Sequence, residues 1–274
     1  MFKAGSYTMP LGSKTYIMGI LNYTPDSFSD GGRYFTPERA LEQALLMEKQ
    51  GADIIDLGAN STRPGATILS DKDELKRLEE IMPILKDKLS TPLSVDTFYP
   101  LCAEYALKNG AEIINDVSGV FNKEIAALVK EYNGAYIVTH NPSGADGVTD
   151  FKKGIVKGVC DFFEGVIKDT EASGLSLNQL CLDPGFGFGK SMADNYELVK
   201  YFGMLKTEGI AILAGLSRKR MTNLSGDLTQ DEKDTVTACL HNMCIMGGAD
   251  IIRVHNVPVA VKCAAMADSL YRKA

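Results

Sequence analysis

The chain has 274 residues, 45% hydrophobic and 23% charged, enough for a substantial core in one large domain or two small ones. Its formal charge of -6 excludes a surface that holds nucleic acid or anionic membrane nonspecifically, so an anionic ligand needs a local basic cluster. Residues 1–11 lack a basic stretch followed by an apolar one, and no apolar run is long enough to span a bilayer, which predicts a cytoplasmic protein.

In chain order, the apolar run 15–22 predicts a first strand ending on Asn22, and a helical pattern over 37–50 follows with proline in its first turn. Gly51-Ala-Asp-Ile-Ile-Asp56 then introduces a motif that returns as Gly110-Ala-Glu-Ile-Ile-Asn115, Gly134-Ala-Tyr-Ile-Val-Thr139 and Gly248-Ala-Asp-Ile-Ile-Arg253. Glycine suits the position after a helix, and the β-branched run suits a strand buried on both faces, so each copy reads as helix end, turn and parallel strand. Strands are also expected at 93–96, 180–183 and 211–215, and helices at 71–89 behind a Ser70 cap and at 231–246. Eight strands alternating with helices, with no linker or composition shift, predict a single (β/α)8 barrel, a TIM barrel in the α/β class, as one domain over 1–274.

In such a barrel the chemistry lies at the C-terminal ends of the strands. The polar residues there are Asn22, Asp56, Asp96, Asn115, His140, Asp183, the triplet Ser217-Arg218-Lys219, and Arg253 with His255. Each alone reads as readily as a loop cap, but eight polar endings at one mouth point to a site. Asp96, Asn115 and Asp183 suit a flat heterocycle with adjacent N–H donors, and Lys219 suits a ring acceptor. Arg63, Arg218, Lys219, Arg253 and His255 supply the positive charge for a phosphate or diphosphate. The loop Asp183-Pro-Gly-Phe-Gly-Phe-Gly-Lys190 is neither a Walker A loop nor a dinucleotide fingerprint, because its glycines are wrongly spaced.

Other features carry bland expectations. The six cysteines, at 102, 160, 181, 239, 244 and 263, show no Cys-x-x-Cys spacing and read as reduced core thiols; His140, His241 and His255 are too dispersed for a zinc site. His241 is expected to be structural, and the charge run 71–80 to be a solvated helix face. Asp53, Glu112 and Asp250 precede strands and are expected at the opposite, stabilising end.

Met18-Gly-Ile-Leu-Asn-Tyr-Thr-Pro-Asp-Ser-Phe-Ser-Asp-Gly-Gly32 and Asp56-Leu-Gly-Ala-Asn-Ser-Thr-Arg-Pro-Gly-Ala66 resemble the first two signatures of the dihydropteroate synthases. Ser94-Val-Asp-Thr97, Ile114-Asn-Asp-Val117, the segment 182–190, Gly215-Leu-Ser-Arg-Lys219 and Arg253-Val-His255 resemble the remaining motifs, in order. The resemblance implies condensation of 6-hydroxymethyl-7,8-dihydropterin diphosphate with 4-aminobenzoate, with Mg²⁺ as cofactor, in a homodimer with no nucleic-acid or membrane partner.

The resemblance also implies residue roles. Asp96, Asn115, Asp183 and Lys219 hold the pterin, while Asn22, Arg253 and His255 hold the diphosphate, with Asn22 as a protein ligand to the metal. Asp56, Thr62, Arg63, Phe188 and Gly215 complete the substrate contacts, and Asp96, Lys219, Arg253 and His255 carry the chemistry. Phe28, Ser61, Thr62, Arg63, Pro64 and Arg220 form the aminobenzoate pocket, also the sulfonamide target. The loops 24–35 and 59–69 are expected to be mobile covers.

Several positions depart from the motifs: Asn60 replaces a common glutamate, Thr139-His140-Asn141 a Met-His-Met type segment, Asn256 an aspartate, and Arg220 a small hydroxyl residue. Two other functions compete. A corrinoid-linked methyltransferase domain would keep the ring-binding residues but has no need of Arg253-Val-His255 or Ser217-Arg-Lys219. A catalytically silent relative would be expected to lack one of the polar set.

Overall fold

A computed structural model describes residues 1–24, 36–60, 68–143, 154–223, 226 and 228–272. A short antiparallel hairpin, β1 (Phe2–Ala4) and β2 (Tyr7–Met9), precedes eight parallel strands: β3 (Tyr16–Asn22), β4 (Ile54–Gly58), β5 (Leu93–Asp96), β6 (Ile113–Asp116), β7 (Ala135–Thr139), β8 (Leu180–Asp183), β9 (Ala211–Ala214) and β10 (Ile251–Val254). These eight close into a barrel in the order β10-β3-β4-β5-β6-β7-β8-β9. Each is followed by a helix: α1 (Pro37–Lys49), α2 (Asp71–Leu85), α3 (Pro100–Lys108), α4 (Lys123–Glu131), α5 (Ile155–Ser173), α6 (Met192–Lys200), α7 (Gln230–Met246) and α8 (Val257–Tyr271). The expected (β/α)8 barrel is therefore the fold.

Local sequence explains most boundaries. Ser70 accepts the Asp73 N–H at the start of α2, and Thr229 with Glu232 forms a reciprocal capping box on α7. Gly51, Gly110 and Gly248 have φ of 102°, 99° and 96°, the left-handed turn expected between helix and strand. In the third copy the left-handed residue is instead Asn133, with φ of 55°, one position before Gly134. Helix α2 stops four residues short of the expected 89: Pro83 lies in its last turn, Lys86 is extended, and Asp87 is left-handed at φ 62°.

The strands divide their side chains by alternation. Ile17, Leu21, Ile55, Leu57, Val95, Ile114 and Val138 face outward into the layer shared with the helices. Met18, Ile54, Ile113, Ile137, Cys181, Leu213 and Ile251 form a separate inner core, joined by Phe2, Ala4 and Met9 of the hairpin. Sequence reading passed over the hairpin because each strand has only three residues; its apolar positions join the barrel interior.

The bland expectations fare unevenly. His241 is buried with Nε2 3.1 Å from the Ala214 carbonyl oxygen, a structural role as expected. All six cysteines are free thiols, but Cys239 is exposed on α7 and is no core residue. Glu74 corrects the reading of 71–80 as a solvated face: it is fully buried and its carboxyl accepts the Asn60 amide at 2.8 Å.

Candidate active site

The inner-core positions, continued two residues at a time toward the C-terminal ends, reach Asn22, Asp56, Asp96, Asn115, Asp183, Gly215, Arg253 and His255. Strand pairing sets them side by side: Asp56 is level with Ser94, Gly58 with Asp96, Asp96 with Asn115, and Thr139 with Asp183. Period-two alternation thus turns separate motifs into one interior-facing ring.

Arg253 is the centre of that ring. Its Nε donates to Asp56 Oδ2 at 2.6 Å and its Nη2 to Asp96 Oδ2 at 2.8 Å, so one guanidinium joins two carboxylates. Asp56 has no exposure and also accepts Ser94 Oγ at 2.6 Å and Asn115 Nδ2 at 3.2 Å. Its acceptor capacity is filled within the protein, which makes it a support for Arg253 and Asn115. Asp96 keeps 13% exposure toward the mouth. Burial pushes its carboxyl up to about 7 against the opposing pull of Arg253, with Asp56 adding to the rise.

Asp183 and Lys219 form the other half. Asp183 is buried and accepts the Gly185 N–H at 2.7 Å; burial raises its carboxyl, while Lys219 and that N–H oppose the rise. Lys219 donates to the Phe186 carbonyl at 2.5 Å with its ammonium 4.5 Å from the centre of the Phe188 ring, and burial lowers it to about 8. Gly187, with φ of 82°, leaves room for the lysine stem, since a Cβ there would lie 3.1 Å from Lys219 Cδ. Gly215 lies between the halves: a Cβ on it would be 3.6 Å from Asp183 Oδ2 and 3.9 Å from Arg253 Cβ. Asn22 sits at the rim, its Oδ1 3.7 Å from the Cβ position of Gly58, which is itself 4.0 Å from Asp96 Cβ. His255 pairs with Ser217, whose Oγ is 3.0 Å from the ring Nδ1 and accepts the His255 N–H at 3.2 Å.

Two mouth residues expected from the sequence turn away. His140 falls on the outward parity of β7, packs edge-on against Phe162 at 5.1 Å, and is lowered to about 3 by burial and the Lys190 charge. Arg218 belongs to the expected phosphate-binding charge, yet it grips Asp234 of α7 through Nε at 2.7 Å and Nη2 at 2.8 Å. Arg220 opens a short 3-10 turn and is exposed. Phe28, Ser61, Thr62, Arg63 and Pro64, with most of the two cover loops, lie outside the described residues.

Sequence reading missed Lys190, which binds the carbonyls of His140, Gly185 and Phe188 at 2.9, 2.7 and 3.2 Å and so shapes the glycine loop. The signal was present: a lysine closing a loop of three glycines has many carbonyls to satisfy. It also missed Ser94, two residues before Asp96 and thus on the same inner face.

Comparison with known proteins agrees with this geometry. The family profile "Pterin binding enzyme" matches residues 18–255. The dihydropteroate synthase of Synechocystis is 39% identical over 267 residues, covering 95% of this chain and 92% of that one. A dihydropteroate synthase from Clostridium difficile, solved in the presence of pteroic acid, superposes with a TM-score of 0.88 at 38% identity, covering all of both chains. The Xanthomonas albilineans dihydropteroate synthase solved with 4-aminobenzoic acid gives 0.86 at 36% identity over 94% of each chain. The chain belongs to the dihydropteroate synthases, transferases of the pterin-binding family.

Proposed function

We propose that the chain, as one domain over 1–274, joins 6-hydroxymethyl-7,8-dihydropterin diphosphate to 4-aminobenzoate, releasing diphosphate. The observation that carries this reading is the single guanidinium of Arg253 shared by Asp56 and Asp96, with Asp183 and Lys219 on the other side of Gly215. Asp96, Asn115 and Asp183 present acceptors to ring N–H groups, and Lys219 presents a donor to a ring acceptor. When the diphosphate ester enters, Arg253 turns part of its charge from Asp96 to the phosphate oxygens, and Asp96 is freed for the ring.

Departure of diphosphate leaves a cation at the pterin methylene that is delocalised into the ring. The Asp96 carboxylate, largely removed from water, stabilises it. Arg253 and His255 stabilise the charge developing on the leaving oxygens. The 4-aminobenzoate amine is neutral at pH 7, so its attack on the methylene carbon requires positioning, and its proton passes to solvent or diphosphate after the C–N bond forms.

The residues fit a weakly held magnesium ion. Among the described residues no three His, Cys, Asp or Glu side chains are grouped to bind a metal. The Asn22 amide oxygen is one hard donor at the rim, and Mg²⁺ characteristically takes its other ligands from phosphate and water. Bound there, the ion would neutralise charge on the leaving diphosphate. The aminobenzoate pocket is assigned to Phe28, Ser61, Thr62, Arg63, Pro64 and Arg220, with Phe188 beside the ring. Only Phe188 and Arg220 of these are among the described residues.

The reading includes a cytoplasmic homodimer. Among the described residues no helix is long and apolar enough to cross a membrane, and six free thiols suit a reducing compartment. Met243 and Met246 of α7, with Met266, Leu270 and Tyr271 of α8, supply exposed apolar surface for a second copy.

The test is an assay of diphosphate release from the pterin diphosphate, with and without 4-aminobenzoate. Release coupled to formation of dihydropteroate is the expected result. Absence of release under both conditions, in protein that binds a pterin, would favour a binding protein over an enzyme.

A further inference from the structure

Arg218 stands between two residues of the site and belongs to neither its chemistry nor its lining. Its φ of 55° is a left-handed conformation that residues with side chains keep only when the surroundings hold them there. Three bonds from α7 do so: the Arg218 N–H meets Thr237 Oγ1 at 3.2 Å, and the guanidinium fork meets both oxygens of Asp234, at 2.7 and 2.8 Å. The left-handed turn sends Arg218 outward and leaves its neighbours Ser217 and Lys219 facing the mouth.

Asp234 has a second attachment. Its Oδ2, the oxygen that takes Arg218 Nη2, also accepts the Asn256 amide at 2.8 Å, and Asn256 in turn caps α8 through the Val259 N–H at 3.2 Å. Asn256 directly follows His255. A single carboxylate, only 4% exposed, therefore ties the turn after β9 to the turn after β10, and Ser217 with His255 forms a second tie across the same gap. The carboxylate lies low because its bonds to Arg218 and Asn256 outweigh burial.

We infer that Asp234 is a positioning residue for the transfer reaction, fixing through Arg218 and Asn256 the two turns that aim Lys219 and His255 at the substrate. The inference rests on Lys219 and His255 serving the site as proposed above. Asp234 itself touches no substrate; it sets the angle between a ring-binding lysine and a phosphate-binding histidine carried on different strands.

The geometry supplies its own test, an exchange of side chains. Arg218 Nη2 and Asn256 Nδ2 converge on one oxygen, so exchanging the residues at 234 and 256 keeps one carboxylate and one amide in the same cluster, and aspartate caps a helix as well as asparagine does. Asp234→Asn should lower kcat/KM for the pterin diphosphate by about 10- to 100-fold, the effect of a small misplacement, with a smaller loss of affinity for a phosphate-free pterin, which meets Lys219 but not His255. Adding Asn256→Asp to that variant should restore most of the loss, because the carboxylate is again present beside Arg218. A second readout is independent of turnover: the His255 ring resonances, assignable among three histidines, should shift in Asp234→Asn and return in the exchanged pair. Unchanged kinetics in Asp234→Asn would overturn the inference. So would a folded exchanged pair that stays impaired with its His255 signals still displaced. If Asp234→Asn does not fold, the exchanged pair decides alone: it should be folded and active, and a folded but inactive protein counts against the proposal. If the wild type releases no diphosphate, the function proposed above fails, and the histidine resonances still report whether Asp234 sets His255.

Discussion

At the N-terminal end of the barrel, Asp53, Glu112 and Asp250 each accept a backbone N–H near the start of a neighbouring strand: Ile17 at 2.9 Å, Leu93 at 2.8 Å and Ile212 at 3.0 Å. At the C-terminal end, Asp56 and Asp96 meet side chains, chiefly the one guanidinium of Arg253. The first group closes bonds that the chain must close to fold, whether or not a ligand is present. The second gathers charge that a ligand rearranges. Residue type does not distinguish the two groups; which end of a strand each carboxylate occupies does.

The largest effects should come from removing one carboxylate at each end of the barrel. Asp183→Ala should weaken pterin binding by about 1.5–3 kcal/mol, the range for a hydrogen bond to a charged group, and should also lower stability because the buried Gly185 N–H loses its acceptor. Calorimetry showing unchanged pterin affinity in the folded variant would take Asp183 out of the site. Asp250→Ala should lower stability alone. It leaves the buried Ile212 N–H without its acceptor and Lys206 without its partner, which should cost about 1–3 kcal/mol in denaturant unfolding while KM values hold. A changed KM with unchanged stability would erase the distinction between the two ends.

A smaller effect is expected in the pH dependence of stability. The Asp96 carboxyl is raised from 3.8 to about 7, so the folded protein holds a proton that the unfolded chain releases. Its contribution to stability is complete below pH 4 and is lost as the pH rises toward 7. The ligand-free protein should therefore lose part of its stability over that interval, and Asp96→Asn should flatten the slope. An identical slope in wild type and variant would place the proton elsewhere. Lys219, lowered to about 8, should cause activity to fall above that pH.

The barrel was legible because its helix-turn-strand motif repeats, and the site because alternation carries each motif residue to the interior. What stayed hidden depended on direction across short distances. His140 and Arg218 lie near strand ends as Asp183 and Lys219 do, but the parity of β7 sends His140 outward and a left-handed turn sends Arg218 outward. Asp234 was invisible because one acid among several in a polar helix start reads as solvated. Its partner position offered the only hint: Asn256 stands where the resembling motif has aspartate, and the carboxylate comes from α7 instead. Glu74 was hidden in the same way, inside a charge run whose other acids suit an exposed face; Asn60, another departure, is the residue that meets it.

In the proposed site Arg253 serves the diphosphate while the strand-end carboxylates serve the ring. Titration calorimetry of Arg253→Ala with two ligands, the pterin diphosphate and the same pterin without phosphates, separates these roles. The diphosphate ester should bind at least about tenfold more weakly, as expected for loss of a charge-assisted contact, while the phosphate-free pterin keeps its affinity because Asp96 no longer has to give up a guanidinium to receive it. Equal losses for both ligands would contradict this division of roles.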